Sequence, residues 1–499
     1  MRIKPLLIGL VFCSNSVIGS ISYIAVNGND QNPGTRARPW ATFAYSLQQV
    51  RPGDTLMVRG GLYNEGEIWI RKDLGMGGSD GNYVTVMAHP GENPQLTGPR
   101  RMIVETNYIR IQGLEFLNTY SLDLPWWGEP GTREHVEILN NRFTGAFGIP
   151  LEFCGNYGLI EGNRIENSNG ESHAIYLHYG HHNILRNNRI LGTYKYGIHV
   201  YDEHKPEDPE GFVRRYSNVI IERNYISSSK TRAGIILGTS ADAPVPGVTM
   251  DSILIRQNVI INNGSVGIYV KAWAGRISHI DIYNNTLYNN RYGGIFLDNC
   301  QYVNIFNNII VANEGKHISA DAQTKNTTVN YNLFWPAPLR SDAESGVYIL
   351  ENPLFINAEN TNFELQASSP AIDAGTDVGL EYNGSAPDLG AFEYGDPQTR
   401  NSKQKEIRRC MLYQNFPNPF NPVTRIEYAV TELSHVKIEI INILGQPVDT
   451  LVDQIQSPGY KSILWDTRKV LGQGVPAGIY ICKLMAGNFE DYKKLILLY

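Results

Sequence analysis

A five-residue pattern recurs six times between residues 148 and 298: Gly or Ala, then Ile, any residue, an apolar residue and any residue. The six copies begin at Gly148, Ala174, Gly197, Gly234, Gly267 and Gly294. The two apolar residues of each copy are two positions apart, so each copy reads as a β-strand with both on one face. The chain therefore repeats one strand whose apolar face is buried.

A second pattern alternates with the first and places an Asn between two apolar residues. The recurring asparagines are Asn141, Asn163, Asn188, Asn224, Asn258, Asn285, Asn308 and Asn332. They are 22, 25, 36, 34, 27, 23 and 24 residues apart. A period in the twenties with two strands per repeat predicts a solenoid, and the longer gaps predict loops on one face. Asn at a fixed place predicts a ladder of side-chain amides along the axis.

The predicted fold is all-β, a parallel β-solenoid followed by a small β-sandwich. The repeat resembles the right-handed parallel β-helix of the pectate-lyase-like superfamily over residues 80–335. That superfamily contains lyases, hydrolases, epimerases and adhesins, so the resemblance implies a fold and leaves the reaction open.

The chain divides into six predicted segments. They are a signal peptide (1–20), an N-terminal cap with a short amphipathic helix (21–80), the β-helix (81–350), a C-terminal cap (351–395), a polar linker (396–410) and a last module (411–499). The signal peptide is predicted from a basic start at Arg2 and Lys4 and an apolar run over residues 5–12.

The last module opens with Tyr413-Gln-Asn-Phe-Pro-Asn-Pro and continues with alternating strands separated by turns, which predicts a β-sandwich. It resembles the type IX secretion C-terminal sorting domain. The resemblance implies that the type IX machinery is a partner and that the protein is secreted or attached to the cell surface after export across the outer membrane.

Composition excludes several classes of function. A net charge of −6 with 18% charged residues gives no reason to expect a nucleic-acid partner. Beyond the signal peptide, no stretch approaches the ~20 apolar residues of a membrane span, so we expect an exported monomer without a transmembrane segment.

Cys154 and Cys300 are predicted about 24 Å apart along the solenoid, too far for a disulfide. Cys410 and Cys482 share the last module, and their pairing stays open.

The outward residues of the repeated strand form two predicted columns. The first holds Pro150, Tyr176, His199, Ile236, Tyr269 and Phe296, and the second holds Glu152, His178, Tyr201, Gly238, Lys271 and Asp298. Tyr176, His178, His199 and Tyr201 would form a two-by-two patch, with Lys271 two coils further on. Gly238 would leave a gap for one sugar ring.

These residue types suit β-elimination from a uronic-acid-containing polymer, which removes the C5 proton, neutralises the carboxylate and protonates the leaving O4. His199 or Lys271 is the predicted base, Tyr201 the acid and His178 the neutralising group. The predicted substrate-binding residues are Tyr176, Tyr269, Arg232, Arg276, Trp126, Trp127, Glu152 and His173. The superfamily resemblance makes a polysaccharide lyase the leading hypothesis for an acidic polysaccharide substrate.

Several alternatives to a polysaccharide lyase are consistent with the same residues. Asp202 and Glu203 open an acidic loop that is either a calcium site or a solvated wall of the cleft. A glycoside hydrolase needs paired carboxylates, and Glu152 and Asp298 are predicted about 24 Å apart, too far to cooperate. Asp202 and Glu203 could supply such a pair with a partner from another loop. A uronan C5-epimerase would use the same residues as a lyase. A surface protein that only binds carbohydrate would use the columns without catalysis.

Overall fold

The computed structural model describes most of the chain. The described ranges are 19–98, 101–118, 121–125, 133–166, 172–202, 215–239, 249–273, 276–336, 346–395, 410–413, 415, 418–431, 434–456, 459–468, 470 and 475–498. Most of the predicted signal peptide and linker, and the residues Trp126, Trp127 and Glu203, lie outside these ranges.

The β-helix is built from three parallel sheets, and each successive coil adds strands in the order sheet 1, sheet 2, sheet 3. Sheet 1 contains Ile68–Arg71, Arg101–Glu105, Ser121–Asp123, Leu151–Cys154, Ile175–His181, Ile198–Asp202, Ile235–Thr239, Val266–Ala272, Gly293–Asp298 and Lys316–Ala320. Sheet 2 contains Ile21–Ile24, Thr55–Val58, Val84–Ala88, Ile109–Gln112, Glu137–Leu139, Leu159–Glu161, Ile184–Arg186, Arg215–Glu222, Thr249–Arg256, Arg276–Tyr283, Cys300–Phe306 and Lys325–Asn330. Sheet 3 contains Gly61–Tyr63, Pro94–Thr97, Glu115–Leu117, Arg142–Thr144, Arg164–Glu166, Arg189–Leu191, Tyr225–Ser227, Val259–Ile261, Thr286–Tyr288, Ile309–Val311, Asn332–Trp335 and Tyr348–Ile349.

The predicted solenoid is confirmed, with one difference in its cross-section. We predicted two strands per repeat, and the structure has three, because the Asn-containing pattern spans a corner. Glu137–Leu139 lies in sheet 2 and Arg142–Thr144 in sheet 3, with Asn141 at the turn between them. A short run of polar residues is therefore a corner between two strands.

The core is a stack of identical side chains. The isoleucines of the repeated strand pair in register from coil to coil, namely Ile175, Ile198, Ile235, Ile268 and Ile295. Each is at most 1% exposed. Burying one such side chain contributes roughly 1.5–3 kcal/mol, so the repetition itself stabilises the solenoid.

The predicted asparagine ladder is confirmed. The eight asparagines from Asn141 to Asn332 are each at most 1% exposed. The side-chain Nδ2 of each donates to Oδ1 of the next over 2.9–3.2 Å. The same Oδ1 accepts a backbone N–H from the coil before it, as Asn258 does from Asn224 at 2.9 Å. The ladder thus satisfies polar groups that a buried corner would otherwise leave unpaired.

The helix Phe43–Gln49 closes the first coil, which agrees with the short amphipathic helix predicted in this segment. The side chain of Thr42 accepts from the backbone of Tyr45 and caps its start, while Phe43 and Leu47 are buried in the core. The segment 21–80 is more than a cap, however, because it already supplies strands to all three sheets, beginning with Ile21–Ile24 in sheet 2.

Residues 351–395, here called the lateral segment, were predicted to cap the far end of the solenoid. Their apolar side chains instead pack on its side. Leu365, Ala371 and Leu389 cluster with Ile309, Val311 and Leu333 of sheet 3, and Phe363 and Ala391 cluster with Val259 and Ile261. The segment has one hairpin, Phe355–Asn357 with Asn362–Leu365, and a 3₁₀ turn, Ala358–Asn360; another 3₁₀ turn, Lys72–Leu74, lies near the first coils.

Apolar residues on the outer face of sheet 3 explain this packing. Val259–Ile261 and Ile309–Val311 are apolar on both faces, whereas the earlier strand Arg164–Glu166 has Arg and Glu outward. Uncovered apolar faces of this kind are unfavourable in water, so the lateral segment covers them.

The C-terminal module is a β-sandwich, as predicted. One sheet contains Met411–Leu412, Val423–Val430 and Gly459–Asp466, and the other contains Pro447–Gln456, Ser434–Asn442, Gly478–Ala486 and Phe489–Leu497. Trp465 lies fully buried in its core. Cys410 and Cys482 are both free thiols, which answers the question of their pairing, and Cys154 and Cys300 are free as expected. Within the described ranges, no helix is long and apolar enough to cross a membrane.

Candidate active site

The outward face of sheet 1 carries the two predicted columns, but the register of the first copy differs from the prediction. Glu152 pairs with Tyr176, one residue beyond Leu151, which pairs with Ile175. Glu152 therefore belongs to the first column, and Pro150 lies before the strand. The error was a slip of two residues, which keeps every side chain on its face and so leaves the apolar pattern unchanged.

In the observed first column the residues in register are Asp123, Glu152, Tyr176, His199, Ile236, Tyr269 and Phe296. In the second column Tyr201, Gly238, Lys271 and Asp298 follow one another, as predicted. The columns divide into a buried half, around His199, and an accessible half, around Lys271.

The buried half is a cluster of stacked rings. The ring of His199 lies 4.1 Å from that of His173, 4.3 Å from that of Tyr176 and 4.8 Å from that of Tyr196, centroid to centroid. Tyr176 stacks on His178 at 3.7 Å. Tyr176, His178 and His199 are 3%, 3% and 6% exposed. The predicted open two-by-two patch is therefore wrong for these three side chains, because rings from the preceding turns cover them.

Burial also determines the protonation state of two imidazoles in this cluster. Burial, together with the neighbouring His173, His178 and Lys195, holds the pKa of His199 well below its usual range. Burial lowers the pKa of His173 to about 3, with Lys195 adding to the effect. Both imidazoles are neutral at pH 7. His199 lies out of reach of a polymer, which does not support its predicted role as the base.

A carboxylate pair borders the cluster. The Nε2 atom of His178 lies 2.6 Å from Oε1 of Glu152, so the predicted neutralising group is already engaged. Asp123, which the sequence analysis missed, pairs in register with Glu152. Burial and the Glu152 carboxylate raise the pKa of Asp123 to about 7, although Arg101 Nη1 lies 2.8 Å from its Oδ2. The only sequence signal was the alternation Ser121-Leu-Asp123 ahead of the Trp-containing loop.

The accessible half centres on Lys271. Its Nζ atom lies 2.7 Å from Oδ2 of Asp298 and 4.5 Å from the centroid of the Trp273 ring. The hydrogen bond to Asp298 raises the pKa of Lys271. On the other side, Nζ is 6.0 Å from the ring of Tyr269, which stacks on Phe296 at 5.1 Å. The ammonium group is thus held among aromatic walls.

The gap predicted above Gly238 is filled. A Cβ atom at position 238 would lie 2.7 Å from Cδ2 of Tyr201 and 3.2 Å from Cζ3 of Trp273. The Tyr201 and Trp273 rings meet edge to face, 5.9 Å apart. Glycine is required here so that Tyr201 can lie across the next coil. Trp273 is 40% exposed and lies beyond the repeated pattern, so the repeat gives no signal for it.

The remaining predicted residues take different places. Arg232 is exposed and near enough for its charge to act on Tyr196 and Tyr269, which places it at the edge of the accessible half. Arg276 is exposed at the start of a sheet 2 strand, and its Nε donates to Ser278 Oγ at 3.1 Å. Asp202 ends the strand Ile198–Asp202 and pairs with Thr239 through the backbone.

No metal site can be assigned in the described ranges. They contain no group of three or more His, Cys, Asp or Glu side chains arranged to hold a metal ion. The calcium prediction rests on Asp202 and Glu203, whose side chains lie outside the description, and it stays untested. No chemical step is therefore assigned to calcium.

The accessible half brings together an ammonium group, a phenol, a carboxylate and an indole at one open surface: Lys271, Tyr201, Asp298 and Trp273. Such a surface can stack a sugar ring, attract a carboxylate and exchange a proton with an adjacent carbon or oxygen.

Both modules match known protein families. The family model described as "Pel9A-like, right handed beta helix region" matches residues 22–308. The model described as "Secretion system C-terminal sorting domain" matches residues 414–498, which confirms the sorting module and secretion to the outside of the cell or its surface.

Two curated relatives align with most of the chain. Uncharacterized protein YwoF of Bacillus subtilis (strain 168) is 26% identical over 450 residues, which cover 71% of this chain and 92% of the relative. Pectate lyase L of Dickeya dadantii (strain 3937) is 23% identical over 437 residues, which cover 76% of this chain and 93% of the relative.

Among solved structures, pectate lyase Pel9A is 19% identical with a TM-score of 0.46, and the match covers 75% of this chain and 96% of that one. A rhamnogalacturonan lyase is 16% identical with a TM-score of 0.42, and the match covers 70% and 96%.

Proposed function

The chain belongs to the Pel9A-like right-handed β-helix family, and on that premise we propose that it is a polysaccharide lyase. Its substrate would be a uronic-acid-containing polymer, cleaved by β-elimination outside the cell. The observation that carries the proposal is Lys271, the cation held among Tyr269, Trp273 and Asp298 on the accessible half of sheet 1. One relative, pectate lyase L, bears a lyase activity in its name.

Lys271 is the proposed base. In the elimination, its neutral amine takes the C5 proton, the C5–H electron pair forms the C4=C5 double bond, and the C4–O4 bond breaks with its electrons going to O4. The hydrogen bond to Asp298 raises the pKa of Lys271, so the free enzyme carries the ammonium form at pH 7. Activity should therefore rise towards alkaline pH, where the amine is neutral.

Tyr201 is the proposed acid that protonates the leaving O4. Its ring lies over Gly238, which is in register between Tyr201 and Lys271, so these two residues are two coils apart. Two coils span about 10 Å, and long side chains at that separation can reach opposite sides of one sugar ring. His178 and His199 are buried, and their proposed role is to hold the Tyr201 side chain in position. The rings of His199 and Tyr201 stack with their centroids 4.8 Å apart.

Arg232 and Trp273 are the proposed substrate contacts. An exposed guanidinium matches the two oxygens of a uronate carboxylate, and neutralising that charge makes the C5 proton more acidic. The half-exposed indole of Trp273 offers a face for a sugar ring next to the ammonium of Lys271.

The test is ultraviolet absorbance of the unsaturated product when the full chain is mixed with polygalacturonate, alginate, rhamnogalacturonan and glycosaminoglycans, each with and without calcium. We expect absorbance to rise on at least one polymer and Lys271→Ala to lower the rate about 10²–10⁴-fold. Lys316→Ala is the matched control, because Lys316 is an exposed lysine on the same sheet and should leave the rate unchanged. A flat trace on every polymer, or an unchanged rate in Lys271→Ala, would refute the proposal.

A glycoside hydrolase is the second candidate, favoured by one observation. Asp123 and Glu152 are in-register carboxylates on adjacent coils, and the pKa of Asp123 is raised to about 7. Hydrolases use one protonated and one ionised carboxyl group in this way. Asp123 is only 1% exposed, so the lyase remains the leading proposal. New reducing ends without ultraviolet absorbance, lost in Glu152→Gln, would favour the hydrolase.

An epimerase acting at Lys271 would release no new ends and would instead exchange the C5 hydrogen with deuterated solvent. A protein that only binds carbohydrate would show neither product nor exchange, while Trp273→Ala would still weaken binding to the polymer.

A further inference from the structure

A shallow groove lies on the outer face of sheet 2, on a different side of the β-helix from the site described above. Its volume is about 520 Å³, within the range of small-ligand sites. Side chains of three successive strands line it, Arg276–Tyr283, Cys300–Phe306 and Lys325–Asn330. The seven lining residues are His279, Asp281, Tyr302, Asn304, Asn326, Thr327 and Thr328.

The floor of the groove is an interrupted ring stack. His279 and Tyr302 occupy the same bend in successive coils, with φ values of 54° and 55°, and Asn326 occupies it in the next coil with φ 53°. The rings of His279 and Tyr302 are parallel within 3°, with centroids 4.9 Å apart. Since Asn326 has no ring, the stack stops at Tyr302, which is 45% exposed. One face of Tyr302 is covered by His279, and the other is turned towards the groove.

Fixed polar groups surround this aromatic face. Nδ1 of His279 lies 2.7 Å from Oδ1 of Asp251, which holds the ring in place. Nδ2 of Asn304 donates to Oδ1 of Asp281 at 2.9 Å. Thr328, exposed and in register with Asn304, adds a hydroxyl group that can donate and accept. A ring with apolar faces and hydroxyl groups at its edge would find both kinds of contact here.

The charge of the groove selects among sugars. None of the seven lining residues is Lys or Arg, and Asp281 adds a carboxylate. The carboxylate of a uronate would meet no cation among these lining residues to neutralise its charge. A neutral sugar carries no charge that needs neutralising.

From these observations we propose that the groove is a second carbohydrate-binding site that takes neutral saccharide chains, with one sugar ring stacked on Tyr302. This site does not depend on the elimination proposed at Lys271. It would hold the enzyme on the neutral glycans of a mixed polysaccharide material while sheet 1 acts on the acidic chain.

The test is affinity gel electrophoresis of the full chain in gels containing xyloglucan, galactan, glucomannan or arabinan, with polygalacturonate as the acidic comparison. We expect at least one neutral polysaccharide to retard the wild type and Tyr302→Ala to weaken that retardation by about tenfold, as expected for loss of a stacking platform. Tyr292→Ala is the matched control, since Tyr292 is 59% exposed outside the groove, and should behave as the wild type.

Three outcomes would overturn the proposal: no retardation of the wild type by any neutral polysaccharide, equal retardation of wild type and Tyr302→Ala, or a loss confined to polygalacturonate. The rate of ultraviolet product formation on soluble oligouronates should be the same in Tyr302→Ala and wild type, which separates failure of this site from failure of the lyase proposal. A circular dichroism melt confirms that each variant is folded.

Discussion

Acid should weaken the β-helix through the ring cluster, and His173 offers the sharpest measurement. Its imidazole packs against Tyr196 at 5.4 Å and His199 at 4.1 Å, and its Nδ1 has no hydrogen-bond partner among the residues that the structure describes. Burial lowers its pKa to about 3 in the folded protein, against the usual 6.5 in the unfolded chain. Below pH 6.5 the unfolded chain therefore takes up a proton that the folded protein does not, and stability falls as pH falls until about pH 3.

The size of the effect follows from the two pKa values. Each pH unit between them changes the free energy of unfolding by about 1.4 kcal/mol. Between pH 7.5 and pH 4.5 the contribution of His173 should be a loss of about 2–3 kcal/mol. His173→Gln removes the titrating group, so the variant should lose that much less stability than the wild type over the same interval.

The assay is urea unfolding followed by intrinsic fluorescence at a series of pH values, because the difference between two curves cancels every group that the proteins share. Asp123, whose pKa is raised, acts in the opposite direction in both proteins and so drops out of the comparison. Tyr196→Phe is the control, since burial raises the pKa of Tyr196 and it does not titrate in this interval. If His173→Gln and wild type lost stability in parallel, the imidazole would be accessible to protons and the inferred burial would be wrong.

Three further outcomes test other parts of the molecule. Asn258→Ala should lower the free energy of unfolding in urea by about 3–5 kcal/mol, because it leaves several buried ladder partners unpaired; a loss under ~1 kcal/mol would contradict a closed ladder. Asp298→Asn should move the alkaline rise of kcat/KM to lower pH, since removing the carboxylate lowers the pKa of Lys271; an unmoved profile would mean that Lys271 is not the base. Gly238→Ala should displace the Tyr201 ring and lower kcat/KM at least about tenfold, and full activity would remove Tyr201 from the proposed mechanism.

The solenoid could be predicted because its signals repeat. The inward isoleucines and the corner asparagines recur at every coil, and each copy supports the interpretation of the others. The first copy was misaligned for the same reason: a strand has period two, so moving Glu152 by two residues preserved every alternation. Only the pairing with Tyr176 decides its place.

The candidate site was predicted less completely, because burial depends on side chains outside the repeated strand. His173 and Tyr196 lie in turns before their strands, yet their rings cover His199. Trp273 lies two residues beyond Lys271, the last residue of its copy, and its ring meets that of Tyr201 edge to face over Gly238. Such contacts join residues from different coils and leave no periodic signal in the chain.

The lateral segment determines where mechanical load enters the solenoid. The sorting module contacts the β-helix itself, because Arg425 Nη2 donates to the carbonyl oxygen of His182 at 2.8 Å. Once that contact breaks, a module attached to the cell surface would pull on the chain at residue 395, four residues after Ala391. Ala391 donates its backbone N–H to Thr286 Oγ1 at 3.0 Å and packs against Val259. A repeat protein pulled from its last coil can unwind one coil at a time, since each coil contacts only its neighbours. Here tension acts across the side of several coils at once, in shear against packed side chains. Flow or traction at the cell surface would therefore load the middle of the β-helix before its last coil.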